Sequence, residues 1–411
     1  MGLVAGKPAK DPRLLEDTER DSTCGKADLK IVQDSTMASS MNKRDFVKGA
    51  IYGALIMDAA AAPTHWFYGG AMQVRDVYGG LLTHYTKPVD HLPGSIMSKS
   101  DTGGGGRGGY HGDIIGNVIF HGKKKYWAPG ADHHYHNLLK AGENTLEGSL
   151  MMRTVDVLTD SNGKFDREAL TKDYIDFMTT PDSHNDTYCG TCHRMFFAKW
   201  AKGNPPDKCP DNDGHNVDTC DALVTTIPVA LSPADDSDAS RLASEMVSIT
   251  RDSKVSSQMA QLYATALRDV TKGIAARDAA VSIGKSLGID VARAATRSRA
   301  DPMTACYISQ SLPSVLVMVY KYGMTNDKDV NMKKDAGSTS PSKAFERAVW
   351  ANANRGGENV GTGALIGALL GAECGFSRLP RQLVSDLEAH VNHNLEARVD
   401  AFLNKVEFTK L

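Results

Sequence analysis

Gly142-Glu143-Asn144 recurs as Gly357-Glu358-Asn359, and each copy opens an apolar stretch rich in small residues. The stretches, LEGSLMMRTVDVL and VGTGALIGALLGA, have helical spacing. An acid and an amide at a helix start face free N–H groups and the positive end of the helix dipole. A fold that joins both starts gives one cavity two carboxylates, Glu143 and Glu358, and two amides, Asn144 and Asn359. Such a set of groups suits an anion, a cation or a sugar. The competing reading is local, with each Glu capping its helix and each Asn satisfying loop backbone. Repetition of all three residues in one context favours the shared site.

Asp58 is the next candidate for catalysis. It lies in FVKGAIYGALIMDAAAA, where a lone buried charge is strongly disfavoured. It therefore lines a polar cavity or is paired, and the cavity is the preferred reading. Eleven of thirteen histidines fall between His65 and His215. His133-His134-Tyr135-His136 reads most simply as histidines with local hydrogen bonds. Histidines beside acids and amides are better substrate-binding candidates: His184, Asn185 and Asp186 in SHNDTY, and His215 and Asn216 in DNDGHN. Asp186 and His193 fall on one face of a helix expected over 186–201 and are placed to pair. Asp211-x-Asp213 supplies only a fragment of a calcium loop. The glycine run 103–109 around Arg107 fits neither nucleotide fingerprint, and reads as a phosphate cradle or a lid.

The elements that must position these residues are almost all helices. After a polar leader over 1–43, expected to be disordered, order begins near Lys43 with a Gly/Ala-rich helix that Pro63 ends. Residues 64–141 are irregular and too long for a plain loop, so they are functional or packed as a flap. From 142 the periodicity predicts helices over 143–158, 166–178, 186–201, 218–231, 236–251, 254–270, 273–286, 304–322, 341–353 and 360–373. A low-complexity loop is expected over 326–342, and one amphipathic helix over 380–411. Strand-like alternation is scarce. The fold class is all-α, with one domain over 44–378 and a C-terminal helical segment over 379–411.

The 411 residues are 41% hydrophobic and 23% charged with a formal net charge of −2, as in ordinary soluble proteins. That balance gives no reason for a nucleic-acid or membrane partner. No apolar run is long enough to span a bilayer, and the N-terminus has no apolar signal region. Gly6 stands where a myristoylation site wants Ser or Thr. Seven cysteines are too few for a disulfide scaffold, and Cys189-Gly190-Thr191-Cys192 lacks the second pair of a zinc site. Reduced structural cysteines and a cytoplasmic location are the expectation.

Taken together, these segments resemble the ADP-ribosylglycohydrolase family, which includes the dinitrogenase-reductase-activating glycohydrolases and the J1 crystallins. GALIMDAAAAPTHWF is similar to the family's opening helix, with Asp58 on its Asp. AGENTLEGSLMM stands where the family has Thr-Asp-Asp-Thr, and GGENVGTGALIGALLGA where it has Gly-Gly-Asp-x-Asp-Thr. The resemblance implies an orthogonal multi-helix bundle with a central cleft, and an ADP-ribose-type substrate, small or protein-linked. It also implies a pair of Mg²⁺ or Mn²⁺ ions at the two acidic motifs. Carried over by position, Thr-Asp-Asp becomes Gly142-Glu143-Asn144, and Asp-x-Asp-Thr becomes Glu358-Asn359-Val360-Gly361. Glu143 and Glu358 alone keep a carboxylate, enough for one loosely held Mg²⁺ at most. The expectation is a hydrolase of an N- or O-ribosyl bond that works through Glu143, Glu358 and Asp58. The alternative is a non-catalytic, crystallin-like ligand-binding or structural member of the same fold.

Overall fold

The computed structural model describes residues 24–97, 113–232, 235–324, 340–387, 394–406 and 408. The glycine run 103–109 and nearly all of the expected loop 326–342 lie outside the described residues. Contacts divide the chain into Met1–Met41 and Asn42–Leu411. In the first unit the backbone is helical from Cys24, well before Lys43, where order was expected.

The described residues form helices and no strand, only isolated bridges. In chain order they begin with α1 (Cys24–Ala61), α2 (Gly70–Tyr78), α3 (Ile114–Asn117), α4 (Leu146–Asp160), α5 (Arg167–Thr179) and α6 (Thr191–Trp200). Next come α7 (Gly214–Val217), α8 (Thr226–Ala230), α9 (Asp236–Val247), α10 (Lys254–Thr271), α11 (Ala276–Ser286) and α12 (Val291–Arg297). The last are α13 (Ile308–Tyr322), α14 (Pro341–Arg355), α15 (Gly361–Cys374), α16 (Arg381–Ser385) and α17 (Leu395–Leu403). No described helix is long and apolar enough to cross a membrane.

Small residues decide where the two motif-bearing helices meet. Gly49 and Gly53 of α1 recur at i+4, as do Gly367 and Gly371 of α15. A Cβ on Gly53 would sit 2.1 Å from the Gly367 carbonyl oxygen, and one on Gly371 would sit 2.2 Å from that of Gly49. The helices therefore cross backbone to backbone, which fixes Asp58 and the turn after α1 beside the start of α15. Around this crossing Ile51, Leu55, Leu365 and Leu369 join the main apolar core. A second core holds the irregular stretch in place, packing Phe67, Val74, Ile115, Trp127 and Tyr135 against Leu146, Phe196 and Phe197. Residues 64–97 and 113–141 are thus part of the packed body.

Three expected helices differ from the structure. The helix expected over 186–201 begins at Thr191, because Asp186 spends its carboxylate on backbone N–H groups of Leu146 and Tyr188. The helix expected over 218–231 is a 3₁₀ turn, Cys220–Leu223, followed by α8. The expected tail helix is two short ones, α16 and α17, and 388–393 lie outside the described residues.

Candidate active site

A cavity of about 300 Å³ lies at the start of α15, bounded by the turn after α1, the starts of α4 and α6, and the loops before α8 and α13. Carboxylates from four places line it: Glu147, Asp186, Asp221 and Glu358. His65, Trp66, His136, Cys192, Arg194, His215 and Asn216 share its wall.

Glu358 is delivered by a pair of glycines. Gly356 and Gly357 have φ of +68° and +64°, left-handed values that favour Gly. A Cβ on Gly356 would also lie 2.0 Å from the Phe67 carbonyl oxygen. This approach lets Trp66 N–H donate to the Gly357 carbonyl at 2.8 Å and Gly357 N–H to that of Phe67 at 3.2 Å. Trp66 itself holds a φ of +59°, a strained value for a bulky residue. The result points its indole N–H at Glu358 Oε2, 2.9 Å away. Gly361 N–H donates to Glu358 Oε1 at 3.1 Å. Glu358 thus caps α15 and also faces the cavity.

Behind Glu358 runs a buried chain of four titratable groups. Glu358 Oε2 lies 3.2 Å from His65 Nε2, His65 Nδ1 lies 2.7 Å from His136 Nε2, and His136 Nδ1 lies 2.7 Å from Asp186 Oδ1. Three hydrogen bonds need three protons, and two neutral imidazoles carry two. With every bond made, the chain therefore holds one extra proton that either imidazole or an end carboxyl can carry. Burial opposes charge on Asp186, but His136 and the N–H groups of Leu146 and Tyr188 outweigh it and hold the carboxyl down at about 2. Asp186 is thereby held as the ionised acceptor at its end of the chain.

The other residues singled out from sequence fall in different places. Asp58 is the paired case. Its carboxylate accepts from Asn144 Nδ2 at 2.7 Å, Thr145 N–H at 2.9 Å and Thr145 Oγ1 at 2.6 Å. It is fully buried, does not line the cavity and ties α1 to the start of α4. Burial raises its carboxyl to about 6, against those hydrogen bonds. Glu143 also stays off the cavity wall, accepting from Lys140 N–H at 2.9 Å and Asn185 Nδ2 at 2.8 Å. Asn144 and Asn359 are buried among backbone, the latter donating to Thr64 Oγ1 at 2.8 Å. His184 packs on Phe120 and Phe177. Asp186, His215 and Asn216 do reach the cavity. Asp186 pairs with His136 rather than His193, since it sits in the loop before α6.

Sequence reasoning passed over His65, His136 and Glu147. Within the histidine cluster the three residues have separate tasks. His133 stacks on His91, while His134 bonds the Pro63 carbonyl and the His136 N–H. Burial lowers the His134 imidazole to about 3, and only His136 joins the chain to Glu358. Only His65, directly after the Asp58 helix, carried a positional hint. Glu147 stands three residues after Asn144 and looks like ordinary first-turn capping. Its carboxyl borders the cavity, contacts His193 Nε2 at 3.3 Å and is raised by burial.

The donors at the two motifs do not fit a pair of hard cations. Such ions need several charged oxygens free to coordinate. Gly142, Val360 and Gly361 offer no side-chain oxygen, and the Glu143 and Glu358 carboxylates are each engaged by protein N–H donors.

The described residues form an all-helical body with a carboxylate-lined cavity. A family model for ADP-ribosylglycohydrolase matches residues 39–409, so the chain belongs to the ADP-ribosylglycohydrolase family. A solved structure described as an "ADP-ribosylglycohydrolase-related protein complex" superposes with a TM-score of 0.52. It is 17% identical, over 89% of this chain and 99% of that one, a likeness that supports the fold. No curated protein sequence matches the chain.

Proposed function

We propose that the protein hydrolyses an N- or O-ribosyl bond of an ADP-ribosylated or related small substrate in this cavity. The observation that carries the reading is the Glu358–His65–His136–Asp186 chain, which ends on the cavity wall. Leaving-group departure builds an oxocarbenium-like ribosyl cation, which a fixed carboxylate stabilises, and a water must lose a proton as it attacks. Glu358 is the carboxylate assigned to the reacting ring, and its imidazole chain accepts or returns the proton. Glu147, lifted by burial, is the acid for the leaving group. A carboxyl raised towards its neutral form is the usual choice for such an acid. Arg194 lines the same wall, where a guanidinium suits a diphosphate. Glu143 and Asp58 become positioning residues that hold the start of α4. No step is routed through a metal, because the donors at the two motifs do not fit a pair of hard cations.

The test is release of ADP-ribose, followed by chromatography, from arginine- and serine-linked ADP-ribosyl peptides and from O-acyl-ADP-ribose. Turnover of at least one, retained in chelator, is the expected outcome. Binding without turnover of any would support the crystallin-like alternative and overturn this reading.

A further inference from the structure

We propose that Cys192, His193 and Asp221 form a site for Zn²⁺ or a similar borderline-soft dication beside the cavity. The site lies apart from the two Gly-Glu-Asn motifs, and the inference stands whether or not the protein is a hydrolase. The Cys192 sulfur, a His193 ring nitrogen and an Asp221 carboxylate oxygen lie within 4.8 Å of one another. Among the described residues this is the one group of three His, Cys, Asp or Glu side chains so placed. Sulfur, nitrogen and oxygen donors together are the mixture zinc accepts.

The local fold aims these donors at one point. Cys192 and His193 stand in the first turn of α6, and Asp221 lies in the 3₁₀ turn Cys220–Leu223. They converge over Gly190, the N-cap of α6. A Cβ there would lie 3.6 Å from His193 Cδ2, 3.7 Å from Cys192 Sγ and 3.8 Å from Asp221 Oδ2. The Nε2 edge of the imidazole therefore faces the sulfur and the carboxylate. On the other edge, His193 Nδ1 lies 2.7 Å from the Tyr174 hydroxyl. With that oxygen accepting, Nδ1 carries the ring proton and Nε2 keeps a lone pair, the usual arrangement of a ligating histidine. Glu147 Oε1 of α4 lies 3.3 Å from Nε2. Two nitrogen or oxygen ligands on a tetrahedral zinc stand about 3.4 Å apart, so Glu147 is placed as the fourth ligand. Arg251 is salt-bridged to Asp221 and orients it, as outer partners of ligating carboxylates do.

Charge and access agree with this assignment. A dication, one thiolate, two carboxylates and the Arg251 guanidinium sum to zero, which a buried site requires. A thiolate and an imidazole disfavour Mg²⁺ and Ca²⁺, which take oxygen ligands. Cys192, Asp221 and Glu147 all line the cavity, which gives an ion its way in. Binding releases the thiol proton to solvent. On the hydrolytic reading, an ion here takes Glu147 from the leaving group, so Zn²⁺ inhibits and chelator leaves the enzyme active.

The experiment titrates Co²⁺, a spectroscopic stand-in for Zn²⁺, into the full chain freed of metal by chelator. A saturable thiolate-to-cobalt charge-transfer band should appear, which added Zn²⁺ bleaches and added Mg²⁺ does not. Cys192→Ser should abolish the band, and His193→Gln should weaken Co²⁺ binding by about tenfold or more. Should His193→Gln fail to fold, the near-isosteric Cys192→Ser decides alone. Cys306→Ser alters the other cysteine on the cavity wall and should keep the band. No band in the wild type, or a band that survives Cys192→Ser, would overturn the site. This readout does not depend on turnover, so it fails or holds separately from the hydrolytic reading. Zn²⁺ inhibition of turnover that persists in Cys192→Ser would overturn the inhibitory role.

Discussion

At the residue scale, the site rests on a proton count. The chain from Glu358 to Asp186 has three links, all buried, and is broken if either imidazole is removed. His136→Asn should lower kcat by about 10²-fold, within the range for general acid–base groups, and shift the acid limb of the kcat profile, with KM little changed. An unshifted profile with a normal rate would remove the relay from the mechanism. Asp186 also makes a stability prediction with a definite sign. Its folded value of about 2 lies below its ordinary value of 3.8, so its contribution is present above pH ~4 and is lost as pH falls towards 2. The size is about 2 kcal/mol, from the shift at 1.36 kcal/mol per unit. Asp58 works in the opposite direction, its raised carboxyl costing stability as pH climbs from ~4 to about 6. Melting temperatures below pH 4 report Asp186 together with Asp221, Asp235 and Asp236, whose carboxyls are also held low. His136→Asn should flatten that arm, and its difference from wild type reads Asp186. The sequence displayed Glu358, Asp186, His215 and Asn216 openly, because acid–amide and acid–histidine neighbours are visible in a string. It concealed the link from His65 to His136, seventy-one positions apart, since only the packed turn after α1 brings them together.

At the element scale, the crossing of α1 and α15 sets the site. Gly53 and Gly367 meet at backbone distance, so Gly53→Ala should push the helices apart and cost about 1–3 kcal/mol, the range for overpacked interiors. A thermal melt would measure it. An unchanged melting temperature would mean that the close crossing does not determine the fold. The small residues of both helices were legible in sequence, but their pairing was not. Periodicity also located α4, α5, α9, α10, α11, α13, α14 and α15 to within a few residues at most ends. It failed where side chains compete for backbone. Asp186 and Asp58 accept the first N–H groups of α4, a tertiary cap that local spacing does not contain, and Asp186 is kept out of α6 as a result. Val291–Arg297 also forms a helix that was not expected, starting at the Asp290 side-chain cap.

At the scale of the whole molecule, one body carries the fold and the cavity. Family similarity begins at residue 39, and the contact boundary falls at Met41. A chain starting at Asn42 should therefore melt within about 2 °C of the full protein. A large drop would show that the leader supports the body. The repeated Gly-Glu-Asn is unequal in space: Glu358 reaches the cavity, while Glu143 is spent on Lys140 and Asn185. Sequence symmetry does not extend to the chemistry, because only the second copy follows paired glycines that thread it against Phe67. The most direct test of the account is kcat for wild type, Glu358→Gln and Glu143→Gln on one turned-over ADP-ribosyl substrate, in chelator. The account predicts a loss of about 10²–10⁴-fold for Glu358→Gln and, for Glu143→Gln, a lower melting temperature with kcat largely kept. Full activity in Glu358→Gln, or activity abolished by chelator alone, would contradict it.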